Sequence, residues 1–519
     1  MREKESGTST TGAARDGAGG AQSPRPGGVP ELSLAGLRET LAAAPDAGRL
    51  RPLGLGELIE GYGALDRLAD AVAAQAAATS RRIPRLSGAK SSYEGRPGAG
   101  VVVLAADTAM LAAGGRDLRS VIEAQLGARH EVRWVSLGPG VHADEATVAA
   151  AAEAVAGAGC VVTAGSGTVT DIGKAAAPAG TPLVAVQTAT SVNGYADPLS
   201  VLLRDGVKRT TKTRWPDTLL IDPAVLAAAP AGLNRAGAGD MMAMFTAPAD
   251  WYLASVLHAG PDAPPGADPP YHPAVTALTR PHGPRLLELA AGLADPSSLA
   301  ELARILTLSG IAMGVAGATA PASGMEHAIS HLLEMAADAR REPASFHGTQ
   351  VGVASVVAAA TWARVRRRIA AGALDRPARL PDPDAARDAI GRAFAGIDPT
   401  GAMAAECFRD YARKLSWISA GGADPLAGLR RSWAGHETVL DSLLAGPDEV
   451  AAGLRAAGLP VSFGELAEPV SEARARWAVA GCALMRQRFG VADLAMLTGG
   501  WDNAAVDEVM ASAAAAGQP

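Results

Sequence analysis

CVVTAGSGTVTDIGK, residues 160–174, decides how the chain is read. Cys160 to Ala164 are small or apolar and include two adjacent valines, the composition of a strand covered on both faces. The run stops at Gly165-Ser166-Gly167. Val169, Ile172 and Ala176 then recur at helical spacing. A strand that ends in glycines and passes at once into a helix opens a strand–helix unit. Gly165 and Gly167 let a ligand approach the backbone, and Ser166 and Thr168 add hydroxyl donors. The free N–H groups of the helix start suit an anion such as a dinucleotide pyrophosphate. The pattern is not GxGxxG, and a tight turn without a ligand accounts for it equally well.

The same rhythm extends to both sides. VVVLAAD (101–107), VRWVSLG (132–138) and LVAVQTA (183–189) are further short apolar runs. Helical patterns over 117–127 and 143–157 separate them. Buried strands alternating with helices predict a parallel sheet with helices on both faces. From about Asp222 to about Ala515 strand-like runs are absent and helices follow one another. The expected architecture is an α/β nucleotide-binding domain over 31–222 and an all-α domain over 223–519, with ligands in the cleft near the strand ends. Residues 1–30, rich in Gly, Ser, Thr and Pro, read as a disordered tail. Residues 31–78 show a helical period. Residues 81–98 read as a loop with room for one short strand, and 260–273 as a surface loop.

Of 519 residues, 47 are basic and 53 acidic, a net charge of −6, which gives no support to nucleic acid or a membrane surface as partner. No run of 18 apolar residues occurs, and the N-terminus lacks the apolar centre of a secretory signal. Cys160, Cys407 and Cys482 form no CxxC pair, which fits free thiols in a reducing compartment. A cytoplasmic location is expected.

SGMEHAISHLLE places His327 and His331 at i and i+4, on one helix face. His347 follows in SFHGTQVG, and Asp240 closes AGAGD. Two imidazoles and a carboxylate can hold a divalent ion at about 2.0–2.2 Å with one position left for substrate. A buried histidine pair and an aspartate that caps a helix are the plainer alternatives. TATSVNGYAD (188–197) sets Thr188, Ser191, Asn193 and Tyr195 just after a strand, either as ligand contacts or as an Asn-Gly turn. RDGVKRTTKTRWP (204–216), with Lys208, Arg209, Lys212 and Arg214, suits a phosphate or, more plainly, a solvated basic hairpin.

Together HADEATV (142–148), GSGTVTDIGK (165–174), TATSVNGYAD, GAGDMMAMFTAPADW (237–251), LSGIAMGVAGATAPASGMEHAISHLLEM (308–335), HGTQVGV (347–353) and GLRAAGLPVS (453–462) resemble the sn-glycerol-1-phosphate dehydrogenase family. That family sits in a wider group with iron-containing alcohol dehydrogenases and dehydroquinate synthases. The resemblance runs from about residue 50 to about 510. It implies a dehydroquinate synthase-like fold and a metal-dependent NAD(H) or NADP(H) oxidoreductase acting on a small polyol or ketone. It implies Asp240, His327 and His347 as ligands of zinc, nickel or iron, and a homodimer. Gly165, Ser166, Gly167 and Thr168 would hold the pyrophosphate, with Asp171 and Lys174 just inside the helix. Thr188 and Ser191 would lie along the nicotinamide. Asp107 would accept ribose hydroxyls, which favours NAD over NADP. His331 and Asn193 are the expected catalytic side chains, His331 as a proton relay.

Three positions depart from the family's motifs. Asn193 stands for an acid in SMDGY, Met244 for a lysine in GDLLGK, and Ala320 for an arginine in SRPASG. Lost charge near the cleft puts a phosphorylated substrate in doubt and predicts a shifted pocket. A cyclase or lyase that uses NAD transiently, and a ligand-binding protein without activity, are the alternatives.

Overall fold

A computed structural model of the chain describes residues 30–82, 100–106, 115–257, 267–420 and 424–518. The tail predicted over 1–30 lies almost wholly outside the described residues, as do Asp107 and nearly all of the 81–98 loop. The segment predicted to be helical over 31–78 is instead α1 (Leu34–Ala42), strand β1 (Glu57–Glu60) and α2 (Leu68–Arg82). Leu55, Leu58 and Ile59 fall at i, i+3 and i+4 and so imitate a helix face. Gly54, Gly56 and Gly61 flank them and favour an extended edge strand.

The strand–helix rhythm then proceeds as read. It runs through β2 (Val101–Ala105), α3 (Leu118–Gly127), β3 (Val132–Ser136), α4 (Glu145–Val155), β4 (Cys160–Gly165), α5 (Gly167–Ala176) and β5 (Leu183–Gln187). A hairpin of β6 (Leu199–Arg204) and β7 (Val207–Lys212) precedes β8 (Thr218–Ile221). The sheet order is β1-β8-β5-β4-β2-β3, and every pair is parallel. Alternation assigns the faces. Val101, Val103, Val162 and Val184 meet Leu68, Val72, Ile122 and Leu126 of α2 and α3. Val102, Leu104, Val161 and Leu183 meet Val155 on α4, on the other face.

Beyond Ile221 the described chain is helical. It contains α6 (Pro223–Ala228), α7 (Ala231–Met241), α8 (Ala247–Val256), α9 (Pro273–Thr276), α10 (Gly283–Ala290), α11 (Pro296–Ala316), α12 (Met325–Arg340), α13 (His347–Ala370), α14 (Pro383–Phe394) and α15 (Ala402–Ala420). Shorter helices follow, and the last is Asn503–Ala516. Helix α11 is long and apolar enough to cross a membrane by composition, but 89% of its most apolar window is buried inside the protein. Part of the predicted 260–273 surface loop is packed down, because Trp251 donates to Pro269 O and Arg488 pairs with Asp268.

Candidate active site

Strand β4 ends at Gly165, and α5 starts behind Ser166, whose side chain makes no capping hydrogen bond. The first N–H groups of α5 therefore lack a capping acceptor from Ser166, as an anion site requires. The two glycines serve the chain's own packing as well as any ligand. A Cβ at Gly165 would lie 2.6 Å from Val169, and one at Gly167 2.4 Å from Val192.

Lys174 and Asp171 of the same helix are committed inward. The fully buried Lys174 ammonium lies 3.0 Å from both Asp171 and Asp197 and donates to Gly194 O at 2.7 Å and to Leu199 O. The Asp171 carboxylate also accepts from Val201 N. These bonds pin the 188–197 loop to α5 and the hairpin. Its other end is held where Thr190 N donates to Asn234 Oδ1 at 2.9 Å. Ser191 sits between these anchors, and Thr188 just before the one at Thr190. Asn193 donates its backbone N–H to Asp240 Oδ2 at 3.2 Å, and its side-chain amide to Ser309 Oγ at 3.1 Å.

Glycines bring the acid and the distant histidine together. Helices α7 and α13 cross with almost no space between backbones. A Cβ at Gly239 would sit 2.3 Å from Gly348 O, one at Gly348 2.0 Å from Ala236 O, and one at Gly237 1.7 Å from Thr190 O. GAGD and HGTQVG are thus the two sides of one crossing, and only glycine permits it.

At that crossing Asp240 Oδ1 lies 3.4 Å from His327 Nε2 and 3.9 Å from His347 Nε2. Two atoms bound tetrahedrally to one ion at about 2.1 Å would be about 3.4 Å apart. Asp240 Oδ1 is buried and has no hydrogen-bond partner, an orphan acceptor that a cation would satisfy. The donor set fits a divalent ion, with ligands of mixed N and O character. His331 packs beside it, its ring 6.1 Å from that of His327 and 5.4 Å from that of His347. Burial and His347 hold His331 well below the usual histidine range, so it is neutral.

The sequence reading missed the groups behind these ligands. His327 Nδ1 meets Glu326 Oε1 at 3.0 Å, and His347 Nδ1 meets both Glu334 oxygens at 3.2 Å. Each imidazole therefore offers Nε2 to the crossing and Nδ1 to a buried carboxylate, the usual support for a metal-bound histidine. Burial would lower His327, but Asp240 and Glu326 hold it up at about 9. Glu326 is fixed in turn by Thr246 Oγ1 at 2.8 Å and Gly324 N. Glu334 lies seven residues after His327 on α12, so its share of that face was visible in the sequence. Glu326 had no such signal.

Two expectations are corrected. Lys208, Arg209 and Arg214 do form a hairpin and its margin, but they are only partly exposed and are paired within the chain rather than free for phosphate. Lys208 meets Glu334 at 2.8 Å, Arg209 meets Glu406 at 3.1 Å and Asp410 at 3.4 Å, and Arg214 meets Asp217 at 2.6 Å. Only Lys212 of the four has no such pair among the described residues. Met244 and Ala320 are buried. They are 3% and 1% exposed and belong to the main apolar core, where a charged side chain would lose its water.

Residues 88–230 match the family model described as iron-containing alcohol dehydrogenase. The chain is 34% identical over 191 residues to the Halalkalibacterium halodurans protein named glycerol-1-phosphate dehydrogenase (NAD(P)+), an alignment covering 36% of this chain and 46% of that one. It is 35% identical over 182 residues to the Bacillus licheniformis protein of the same name, covering 34% and 43%. The matches thus span less than half the length of these relatives. A crystal structure titled as a probable glycerol dehydrogenase from Sinorhizobium meliloti superposes with a TM-score of 0.53 at 17% identity, over 90% of this chain and 99% of that one. That likeness supports the fold.

Proposed function

We propose, from the match of residues 88–230 to the iron-containing alcohol dehydrogenase family model, that the chain is a metal-dependent NAD(P)(H) oxidoreductase interconverting a hydroxyl and a ketone on a small polyol or polyol phosphate. The observation that carries it is the convergence of the orphaned Asp240 Oδ1 with His327 Nε2 and His347 Nε2.

Asp240, His327 and His347 would hold the ion, and zinc suits this mixed set. When bound, a divalent ion supplies Lewis acidity toward a substrate oxygen. When bound, the dinucleotide supplies or accepts hydride. The chain's own groups do the rest. The first turn of α5 binds the dinucleotide's phosphates through backbone N–H groups. The Asn193 N–H turns the Asp240 carboxylate so that Oδ1 faces the histidines. Glu326 and Glu334 fix both imidazole planes. Neutral His331 takes the substrate proton and passes it on.

Oxidation of NADH with dihydroxyacetone phosphate, on protein loaded in turn with zinc, nickel and iron, tests the reading. Turnover is expected with at least one ion. Ion and NADH binding without net NADH oxidation on this or other small polyol ketones would sink the oxidoreductase assignment. Replacing His327 or His347 with alanine is expected to abolish both bound metal and turnover. His331→Ala is expected to keep the metal and lose about 10²–10⁴ in rate. Metal analysis beside the rate separates the two classes of variant, and full occupancy in His327→Ala and His347→Ala would refute the ligand set.

A further inference from the structure

Lys208 belongs to the α/β half of the chain, yet its ammonium is bound 126 residues away, to Glu334 on α12 at 2.8 Å. Glu334 is nearly buried and faces His347, with Nδ1 3.2 Å from each of its oxygens. Ser330 Oγ, from the same helix, lies 3.3 Å from that nitrogen. The hairpin is also tied down on its other side, where Arg209 meets Glu406 and Asp410 of α15 and donates to Met485 O. Lys208 is therefore delivered to Glu334 by a strand that is itself anchored.

We propose that Lys208 is a positioning residue for the metal ligand His347, acting through Glu334. The proposal rests on the reading of Asp240, His327 and His347 as the ligand set. A carboxylate that accepts from Nδ1 fixes the tautomer with Nε2 free and sets the ring plane. It also makes the imidazole a stronger donor toward a cation. Such a carboxylate must itself be held, because an unpaired buried charge is costly and would rotate or take a proton. Lys208 supplies the countercharge. It ties the ligand geometry of the helical half to a strand of the nucleotide-binding half.

The same atoms allow a rival. His331, Glu334 and His347 also gather three donor atoms within 4.8 Å, as a second ion would need. Lys208 argues against it, since its ammonium already neutralises Glu334 and would repel a cation there.

Zinc titration of the chelator-stripped full-length chain, against a competing dye, decides. Wild type is expected to bind one ion per chain. Glu334→Gln should weaken zinc by about 10–100-fold and Lys208→Met by about 10-fold, while Lys208→Arg stays within about threefold of wild type. In the Glu334→Gln background, Lys208→Met should add no further loss, which loosened packing alone would not produce. Thermal melting of the stripped variants confirms that each is folded. Unchanged zinc affinity in both single variants, or losses that add in the double variant, would overturn the proposal. So would two ions in wild type with one lost in Glu334→Gln. Absence of any zinc binding by wild type would instead remove the ligand set on which the proposal rests.

Discussion

Gly348→Ala is expected to strip the protein of its metal and reduce turnover by about 100-fold, while most of the fold survives. The added Cβ would lie 2.0 Å from Ala236 O, 2.7 Å from the carbonyl carbon behind it and 3.0 Å from Asp240 Cβ. Two of these atoms are helix backbone and cannot rotate away. Ordinary contact needs about 3.4 Å or more, so α7 and α13 must part by more than 1 Å. Asp240 rides on α7, and His347 is the first residue of α13. Their 3.9 Å separation therefore widens with the helices. A displacement of about 1 Å costs about 100-fold in rate, and overpacking costs about 1–3 kcal/mol of stability. Gly391→Ala on α14 is the control, because its Cβ would meet nothing within 4 Å. It should leave metal content unchanged. Metal analysis after dialysis and thermal melting of both variants check the expectation, and full occupancy in Gly348→Ala would show that the crossing does not set the site.

The glycines of GAGD and HGTQVG were visible as motif letters, but their reason was not. Which backbone a glycine must admit depends on a crossing between helices that lie about a hundred residues apart in sequence. The sheet was more legible. Four apolar runs announced β2, β3, β4 and β5; β2, β4 and β5 are buried on both faces and carry that composition openly, and edge strand β3 keeps Val132, Trp134 and Val135 though only partly covered. The interior strand β8 was missed because TLLI is only four residues long and follows a loop with Pro216. Edge strand β1 was hidden by a spacing that fits a helix. At the site, Asp240, His327 and His347 could be picked out from residue type and spacing. Glu334 shares the histidine face by its spacing from His327, but Glu326 looks like any helix glutamate until its partners arrive. Lys208 shows the limit most plainly. Beside Arg209 and Lys212 it reads as one charge in a solvated run, and only the approach of β7 to α12 makes it the partner of the nearly buried Glu334. Met244 and Ala320 carry the converse lesson, because neighbouring a motif in sequence did not reveal that they pack in the main apolar core.

Lys174→Met is expected to destabilise the chain by about 3–5 kcal/mol near neutral pH, the usual cost of removing one partner from a buried ion pair. Lys174 holds Asp171, Asp197 and two carbonyls with a side chain that is fully buried. Methionine fills the space of the stem but leaves two carboxylates facing each other without a cation. Burial already pushes Asp197 up to about 6 in the presence of Lys174, and raises Asp171. Without the ammonium both rise further, so the folded variant binds protons that the unfolded chain, near 3.9, has released. Stability of such a group is fully present below its unfolded value and is lost as pH rises through its folded value. The deficit of Lys174→Met should therefore be largest in the alkaline range, shrink as the pH falls toward about 6, where wild-type Asp197 takes its own proton, and level off below that. Urea denaturation of both proteins across that range measures it. A deficit that stays constant would mean that Lys174 contributes packing rather than charge. The same variant should weaken dinucleotide binding where the fold persists, because the loop from Thr188 to Asp197 loses its tie to α5.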